Sequence, residues 1–447
     1  MRIYFMTFGC KVNLYETAAM EGMFAERGYV LSDRPDDADI CVINSCTVTS
    51  ESDNKAGQAL RRLRRLRPDA VIAVTGCYPQ ALPEAEKMLP EADIVTGTKD
   101  RSRLPDLVED FLDKRTRTVY IPEYGVHDEF EKMSCTAIPG HTRAFLKIQD
   151  GCDRFCSYCM IPYSRGRIRS KAPEDLRSEA EALAKAGYSE LVLTGINLAF
   201  YGAEFGMNLA DAVEICNGID GIKRIRLGSL EPEMMTDSVL DRLSACEKLC
   251  PSFHLSLQSG CAKTLKAMNR RYTPEEYFSL AEKLRARFAD CSITTDVMTG
   301  FPGETEEDFA ESYEFVKRMR FADIHVFPYS VRRGTRAEKM PCQIDGGTKH
   351  RRAEKMSALG REMRREFLES QLGRTYPVLF EREKNDGFHG GYAPNYTFIK
   401  ILTKNSEKSL RNMVFYVTID KIGDDCCFGH IEDGRNPDVS GISAENL

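Results

Sequence analysis

The chain has 447 residues, a length that favours about three domains, and its 42% apolar and 29% charged residues are ordinary for a globular protein. No apolar run reaches the roughly 20 residues that a bilayer span requires, and the N-terminus lacks the cleavage site of a secretory signal. The net charge of −6 gives no global sign of a nucleic-acid partner, and sixteen cysteines without such a signal indicate a reducing, cytoplasmic location.

The first hundred residues alternate short apolar runs with helical segments, a pattern that predicts an open parallel α/β sheet. Strands are expected at residues 3–8, 40–43, 71–74 and 94–95. A helix is expected to begin with Asn13 as its N-cap, with Glu16 three residues later, and to stop near Gly28.

Three cysteines, Cys10, Cys46 and Cys77, each follow the end of one of these predicted strands. Because the carboxyl ends of parallel strands meet at one edge of a sheet, we expect the three thiols to converge there. Buried thiols without a shared site are the alternative interpretation.

A second set of cysteines, Cys152, Cys156 and Cys159, forms a C-x3-C-x2-C run. Thiolates bind iron and zinc well, and three ligands are one short of a closed tetrahedral site. No fourth Cys or His follows closely, so an iron with an open position for a small molecule is predicted. A structural zinc loop, or three unrelated buried cysteines, are the alternatives.

Alternation resumes on a longer scale after a helix and linker, and predicts a partial (β/α)6 barrel with the C-x3-C-x2-C run at its mouth. Strands are expected at residues 145–148, 191–194, 225–227, 254–257, 293–297 and 324–327, and helices at 173–186 and 274–288. From residue 348 a long helix is expected to close the barrel, with Met356, Leu359, Met363 and Phe367 on one face.

The last part of the chain changes to short β-runs at residues 376–380, 396–402, 413–419 and 426–431, typical of a small β-barrel. Its aromatic residues, Tyr392 and Tyr396 among them, either stack on nucleic-acid bases or form core. Residues 432–447 are polar and expected to be disordered. Local basic runs at 61–67, 165–171, 332–333 and 349–352 are either solvated surface or contacts for phosphate.

With these motifs the chain resembles, over residues 1–432, the methylthiotransferase family of radical S-adenosylmethionine (SAM) enzymes. The matching motifs are Phe8-Gly-Cys10-Lys-Val-Asn13, Asn44-Ser-Cys46-Thr-Val-Thr49, Thr75-Gly-Cys77-Tyr78, the run from Arg143 to Arg167, and Gly391-Tyr392 with Asn395-Tyr396. The resemblance implies an N-terminal methylthiotransferase domain over 1–115, a linker over 116–138, a radical SAM core over 139–370, a TRAM RNA-binding domain over 371–436 and a polar tail over 437–447.

The resemblance also implies two [4Fe-4S] clusters, one on Cys152, Cys156 and Cys159 and an auxiliary one on Cys10, Cys46 and Cys77. Candidate SAM contacts lie at strand ends around the barrel mouth. They are Tyr158 by the adenine, Thr194 and Gly195 by the methionine backbone, Ser229 and Glu231 for the ammonium, and Gln258, Ser259 and Asp296 for methionyl or ribose oxygens.

The implied function is transfer of a methylthio group to C2 of N6-threonylcarbamoyladenosine, beside the tRNA anticodon, with SAM as methyl donor and radical source. Gly-Cys-Lys-Val-Asn at residues 9–13 resembles the enzymes of this type. The implied partners are tRNA, an electron donor and a sulfur source, with no membrane. The substrate carries a carboxylate, for which Lys11, Arg332 and Arg333 are candidate cations.

Two alternatives remain open from the sequence. The same reaction on isopentenyladenosine in tRNA or on a ribosomal-protein aspartate would change only the substrate. A non-catalytic iron–sulfur protein that binds RNA or senses redox state would change the class of function.

Overall fold

The computed structural model describes residues 1–47, 49–82, 84–135, 140–381, 387–402 and 409–432. Within them the chain forms a parallel sheet, then an open barrel and then a small closed barrel, as the sequence predicts. No helix of the described residues is long and apolar enough to cross a membrane. The predicted polar tail, residues 437–447, lies outside the described residues.

The N-terminal unit is a six-stranded, all-parallel sheet with the strand order β2-β1-β3-β4-β5-β6. Its strands are β1 (Arg2–Thr7), β2 (Val30–Ser32), β3 (Ile40–Ser45), β4 (Val71–Gly76), β5 (Ile94–Thr96) and β6 (Thr118–Tyr120). Its helices are α1 (Lys11–Glu26), α2 (Ser50–Leu66), α3 (Cys77–Ala81), α4 (Ala85–Met88) and α5 (Leu104–Lys114). Two three-residue edge strands, β2 and β6, are too short to give an alternation signal, and β6 lies in the segment expected to be linker.

Helix α1 has its N-cap three residues earlier than predicted, at Cys10 in place of Asn13, so the predicted N-cap role of Asn13 is wrong. Asn13 is buried, and its side-chain amide donates to the backbone carbonyls of Phe8 (2.8 Å) and Ser45 (3.0 Å). Asn13, which the sequence presents as an N-cap, therefore links the start of α1 to the ends of β1 and β3 by hydrogen bonds.

The second unit is an open barrel whose six predicted parallel strands are all present. They are β7 (Ala144–Asp150), β9 (Glu190–Gly195), β10 (Arg224–Leu227), β12 (Ser252–Leu255), β13 (Ser292–Thr299) and β14 (Asp323–Pro328), with two short strands β8 (Arg169–Ser170) and β11 (Ser229–Leu230). They pair in two sheets, β10-β9-β7-β8 and β11-β12-β13-β14. No pairing among the described residues joins β14 to β7, so the barrel is open between its first and last parallel strands.

Helices cover the outside of this barrel and bury a continuous apolar core against its strands. They are α7 (Pro173–Lys185), α8 (Leu209–Asn217), α9 (Asp237–Ser244), α10 (Ala262–Ala267), α11 (Pro274–Arg287), α12 (Glu306–Met319) and α13 (Gly346–Glu369). The short helix α6 (Ile161–Arg165) contacts α3 of the N-terminal unit instead. As predicted, α13 packs on the last strand and buries Met356, Leu359 and Met363. Phe367, expected on the same face, packs against the third unit.

The third unit is a closed barrel in the order β15-β16-β17-β19-β18. Its strands are β15 (Thr375–Phe380), β16 (Phe388–Tyr392), β17 (Phe398–Leu402), β18 (Val414–Ile422) and β19 (Cys427–Ile431). Strand β16 falls in a glycine-rich stretch that the sequence presents as a connection. A Cβ at Gly391 would collide with the backbone carbonyl of Leu379 on the neighbouring strand, so this glycine permits close strand approach.

The small barrel is held to the open barrel by buried charges and aromatic rings. Glu190 is fully buried and pairs with Arg226 (2.7 Å) and Arg224 (3.6 Å). Those guanidinium groups donate to backbone carbonyls of residues 392–394, and the guanidinium of Arg226 lies 4.6 Å from the ring centroid of Tyr396. Of the two roles expected for Tyr392 and Tyr396, this geometry favours packing over base stacking.

We predict that Glu190→Gln lowers the free energy of unfolding by about 3–5 kcal/mol, because it leaves two buried arginines without their carboxylate. Urea unfolding of the variant and the parent protein measures the difference. The matched control is Glu247→Gln, at an exposed position, for which we expect a change within about 0.5 kcal/mol. Equal effects of the two substitutions would contradict this account.

Candidate active site

The C-x3-C-x2-C loop connects the end of β7 to the start of α6 at the mouth of the open barrel. The loop turns sharply because Gly151 has φ +72° and Phe155 has φ +48°, both in the left-handed region. A Cβ at Gly151 would overlap the carbonyl group of Arg167, so only glycine fits there. All three cysteines of the loop are half-buried.

Each sulfur of the loop accepts a hydrogen bond from a different part of the open barrel. Asn197 Nδ2 is 3.5 Å from Cys152 Sγ, Arg270 Nη1 is 3.4 Å from Cys156 Sγ, and the backbone N of Ile161 is 3.4 Å from Cys159 Sγ. Such donors stabilise thiolate ligands and tune the potential of an iron–sulfur cluster.

The protonation behaviour of these thiols also suits metal binding. Burial raises the pKa of both Cys152 and Cys159, so a bare thiolate is unfavourable there. A metal cation that replaces the proton removes that penalty. Three soft ligands with one N–H donor each therefore fit a [4Fe-4S] cluster that keeps one iron open.

Arg270 links this loop to the end of β11, and sequence reasoning missed it. Its Nη2 donates to both carboxylate oxygens of Glu231, at 2.6 and 2.5 Å, while its Nη1 approaches Cys156. Glu231, expected to accept the ammonium of SAM, is therefore already paired with an arginine. Nothing in the sequence pattern marks Arg270 as buried, and only a structure reveals this contact.

The other candidate SAM residues are distributed around the mouth. Thr194 and Gly195 end β9, with Thr194 buried, and Ser229 at the start of β11 is exposed. Ser259 is buried, and its Oγ accepts from the backbone N of Cys261 at 3.2 Å. Tyr158 packs edge-on against Phe301 at 6.4 Å between ring centroids.

Gln258 is the candidate with the clearest sign of a ligand-binding role. It has φ +68°, rare for a residue other than glycine, and its Oε1 is buried without a hydrogen-bond partner among the described residues. Buried acceptors are nearly always satisfied, so this oxygen fits a donor from a small molecule, such as the ammonium or a ribose hydroxyl of SAM.

Asp296 differs from the other candidates because it lies within β13 and is paired with two histidines. Its oxygens are 3.4 Å from His254 Nε2 and 3.2 Å from His325 Nδ1. Burial alone would raise the pKa of Asp296, but the hydrogen bonds from His254 and His325 outweigh it and lower that pKa. The carboxylate is therefore ionised and held by its neighbours.

The second cysteine set lies at the carboxyl ends of β1, β3 and β4, which are adjacent in the sheet. Cys46 and Cys77 directly follow β3 and β4, and Cys10 comes shortly after Thr7, where β1 ends. Cys46 and Cys77 are buried, and a Cβ at Gly9 would lie 2.9 Å from Cys46 Sγ, so the chain around these sulfurs is closely packed.

A buried ion network connects the two cysteine-bearing units. Arg165 of α6 donates from Nε to Cys77 Sγ (3.3 Å) and from its Nη atoms to Glu16 of α1. Lys147 of β7 donates to Glu16 (2.7 Å) and to Asp150 (2.6 Å). Burial alone would raise the pKa of Glu16, but Arg101, Arg165 and Lys147 outweigh it and hold the pKa at about 2. These charges fix the two cysteine sets relative to each other.

The N-terminal unit contacts the open barrel at its first strand, β7, and just after its last strand, β14. Helix α1 packs on β7, the first strand, and Asp53 of α2 pairs with Arg332 (2.7 Å), which follows the last strand β14. Arg332 also donates to Thr47 (2.6 Å). Since the pairing gap lies between these two strands, the N-terminal unit bridges the open side of the barrel.

Comparison with known proteins agrees with this architecture. Residues 146–316 match the radical SAM superfamily, and residues 2–97 match the uncharacterized protein family UPF0004. The solved structure of the radical SAM methyltransferase TsrM from Kitasatospora setae, with cobalamin and a [4Fe-4S] cluster bound, covers 73% of this chain and 74% of its own length, with a TM-score of 0.55. At 13% identity, this likeness concerns the fold alone.

Closer relatives align with most of the length of the chain. The threonylcarbamoyladenosine tRNA methylthiotransferase MtaB of Bacillus subtilis is 38% identical over 92% of each chain. The protein of the same name from Aquifex aeolicus is 37% identical over 86% of this chain and 93% of its own. The tRNA-2-methylthio-N(6)-dimethylallyladenosine synthase of Pelotomaculum thermopropionicum is 35% identical over 86% of this chain and 87% of its own. The chain therefore belongs to the radical SAM methylthiotransferase family.

Proposed function

We propose that this protein transfers a methylthio group to C2 of N6-threonylcarbamoyladenosine, next to the anticodon of tRNA. The observation that carries the proposal is the buried network of Glu16, Lys147 and Arg165, which holds two separate cysteine sets in one fixed arrangement. One set suits the cleavage of SAM, and the other supplies the second thiolate site that sulfur delivery to an unactivated carbon requires.

The choice of substrate rests on the relatives and on one motif. The two relatives named for threonylcarbamoyladenosine are 38% and 37% identical, and the dimethylallyladenosine synthase of Pelotomaculum is 35% identical. Gly-Cys-Lys-Val-Asn at residues 9–13 supports the same choice. Neither a ribosomal-protein substrate nor a non-catalytic role is favoured by any of the named relatives.

The radical SAM family uses a [4Fe-4S] cluster and SAM, and the three cysteines of the 151–159 loop are the ligands that we assign to this cluster. We assign a second cluster to Cys10, Cys46 and Cys77. When bound, these groups supply the electron that cleaves SAM and a carrier for the sulfur. Gln258 would accept a hydrogen bond from SAM. Arg270 would hold Glu231 and the cysteine loop in fixed positions relative to each other.

The remaining candidates have supporting roles in the same proposal. Tyr158 would lie beside the adenine, and Thr194 and Gly195 beside the methionine backbone. Ser229, Ser259 and Asp296 remain proposed SAM contacts. Asp296 would contact SAM while it keeps its pairs with both histidines. The reaction would take place in the cytoplasm, with an electron donor and a sulfur source as further partners.

The substrate assay offers the reconstituted enzyme two tRNAs that differ only in carrying threonylcarbamoyladenosine or isopentenyladenosine. We expect methylthio product on the first, measured by nucleoside mass spectrometry after digestion. Product on the isopentenyl tRNA alone would overturn the substrate while leaving the reaction class intact. Absence of 5′-deoxyadenosine from SAM under reducing conditions would overturn the reaction class.

Replacing Cys152, Cys156 and Cys159 together by Ala should abolish the formation of 5′-deoxyadenosine. Iron should fall from about eight to about four atoms per chain after anaerobic reconstitution, because one of two clusters is lost. Iron analysis and chromatography of the nucleoside measure the two effects.

The matched control is the triple Ala variant of Cys10, Cys46 and Cys77. It should lose the same amount of iron and still cleave SAM, but form no methylthio product. If this variant formed a normal amount of methylthio product, the proposal that the N-terminal unit handles the sulfur would be wrong.

A basic face of α2 is the proposed contact for the tRNA backbone. Arg61, Arg62 and Arg65 are exposed and make no ion pair among the described residues, whereas Arg64 is bound to Asp93 at 2.6 Å. They line a pocket of about 530 Å3 on the helix surface. Their positive charge suits phosphate, and the end of α2 that carries them lies near the start of β4, where Arg64 donates to the backbone carbonyl of Ala70 (2.8 Å).

Changing Arg61, Arg62 and Arg65 together to Ala should weaken tRNA binding and flatten its dependence on salt. The slope of log K against log salt should fall by about 1 for each phosphate that no longer has an arginine partner. Binding titrations at several salt concentrations measure this slope. Arg287→Ala, which removes an arginine paired with Asp241, is the control, and an equal weakening there would contradict the assignment.

A further inference from the structure

Three side chains of the kinds that bind metal ions, His254, Asp296 and His325, meet on one face of the open barrel. They belong to β12, β13 and β14, which are neighbours in one sheet. His254 lies between Phe253 and Leu255, both of which are buried in the core beneath the outer helices. Because side chains alternate along a strand, His254 faces the opposite side of the sheet, toward the inside of the barrel.

The strand register brings the other two side chains to the same face. Thr294 of β13 is paired with His254, and Asp296 is paired with His325. Thr294 and Asp296 are two residues apart on β13, so their side chains point the same way. The three ligand-type residues therefore share the inner face of three consecutive strands, which hold them without help from a loop.

The distances within this group are those of ligands around one ion. Asp296 Oδ2 is 3.4 Å from His254 Nε2, and Asp296 Oδ1 is 3.2 Å from His325 Nδ1. One ligand atom from each of the three side chains lies within 4.8 Å of the other two. In a tetrahedral zinc site, with bonds of about 2.0–2.2 Å, neighbouring ligand atoms are about 3.3 Å apart. The group therefore needs only small side-chain rotations to enclose an ion.

The second nitrogen of each imidazole also suits metal binding. A metal-bound histidine usually donates its other ring N–H to an oxygen, which fixes the ring and its tautomer. Thr294 Oγ1 lies 2.9 Å from His254 Nδ1, so this hydroxyl can accept the Nδ1 proton and leave Nε2 for an ion. The His325 side chain is 65% exposed, so its Nε2–H can donate to water.

The charge of this face favours a cation. Asp323 lies two residues before His325 on β14 and is paired with Thr294, so it faces the same side as Asp296. Two carboxylates on one face repel an anion and attract a cation. The exposed fraction of the side chain rises from 19% at His254 to 65% at His325, so an ion can enter from solvent on the β14 side.

We propose that His254, Asp296 and His325 bind one divalent transition-metal ion, in addition to the two clusters assigned above. Imidazole and carboxylate ligands suit Zn²⁺ and Fe²⁺, and two histidines with one carboxylate leave a coordination position open for water or another oxygen ligand. The group contains no cysteine, so it differs chemically from both cysteine sets. The inference goes beyond the proposed function and does not depend on the substrate.

The test measures bound metal in the reconstituted full-length enzyme, equilibrated either with buffered Zn²⁺ or, without oxygen, with buffered Fe²⁺. We expect the parent protein to bind about one more ion per chain than His325→Ala or His254→Gln, as measured by mass spectrometry of zinc and iron. Loss of a ligand should weaken Zn²⁺ binding at least about 100-fold, because loss of an outer hydrogen-bond partner alone costs about 10- to 100-fold. His350→Ala, at an exposed histidine of α13, is the matched control and should keep the parent affinity.

Two further measurements separate this site from the cysteine sets. Thr294→Val removes the hydroxyl beside His254 and should weaken Zn²⁺ binding about 10- to 100-fold without removing a ligand. X-ray absorption at the zinc edge should show nitrogen and oxygen neighbours at about 2.0–2.2 Å and no sulfur at about 2.3 Å. His325 is exposed, so its variant should fold, and cluster iron at the parent level checks folding in every variant.

Equal binding of both metals by the parent and the two histidine variants would overturn the inference, as would sulfur neighbours around the bound zinc. Unchanged metal content together with loss of 5′-deoxyadenosine formation in both histidine variants would assign these side chains to SAM and also overturn it. Loss of the ion in either the zinc or the iron series supports the site, and the series that shows the tighter binding identifies its metal.

Discussion

The carboxylate of Glu16 lies fully buried where α1 meets the open barrel, and it accepts ion pairs from Arg101, Lys147 and Arg165. Desolvation of a charge costs several kcal/mol, so such a group is tolerated only when each neighbour is paired as well. Asp150 completes the set by binding Lys147 and lying 3.4 Å from Arg165. The N-terminal sheet and the barrel therefore share one electrostatic junction, and neither unit can shift without breaking it.

This junction contains more positive than negative charge. With Arg169, which is 3.6 Å from Asp150, four cations face the two carboxylates. The excess lies beside Cys77, whose sulfur accepts a hydrogen bond from Arg165. In the proposed auxiliary cluster these cysteines would be thiolates, so the cysteine set of the N-terminal unit would itself take part in the charge balance. Structural stability and the chemistry of that set therefore depend on the same side chains.

The sequence predicts helices and strands well where an apolar pattern repeats along the chain. It predicts them poorly where a single tertiary contact determines the local structure. Six parallel barrel strands and the packing of α13 follow from apolar periodicity. The wrong N-cap prediction at Asn13 shows the limit of such patterns. Asparagine occurs both as an N-cap and as a buried amide, and only its contacts with the neighbouring strands distinguish the two roles. Strand β16 is not predicted, because glycines that allow close strand approach look like turn glycines.

The residues of the candidate site are also predictable in part: some follow from a sequence pattern, and others depend on single contacts. Cysteine spacing predicts where thiols gather, since strand ends of a parallel sheet share an edge. The pairing of Glu231 with Arg270, and of Asp296 with two histidines, joins residues far apart in the chain and leaves no local pattern. Long charged side chains read as solvated surface in any sequence, so the buried members of the Glu16 junction could not be distinguished from exposed ones.

The attachment of the small barrel has a consequence for how such proteins diversify. Arg224 and Arg226 of β10 bind carbonyl oxygens of residues 377 and 392–394, while Arg143 bonds the hydroxyl of Tyr396 at 2.7 Å. These arginines belong to the open barrel, but several of their partners belong to the appended one. Exchange of the C-terminal barrel between family members by recombination would therefore succeed only when the arginines of the host and the donor's connection between β16 and β17, which carries Tyr396, are inherited together.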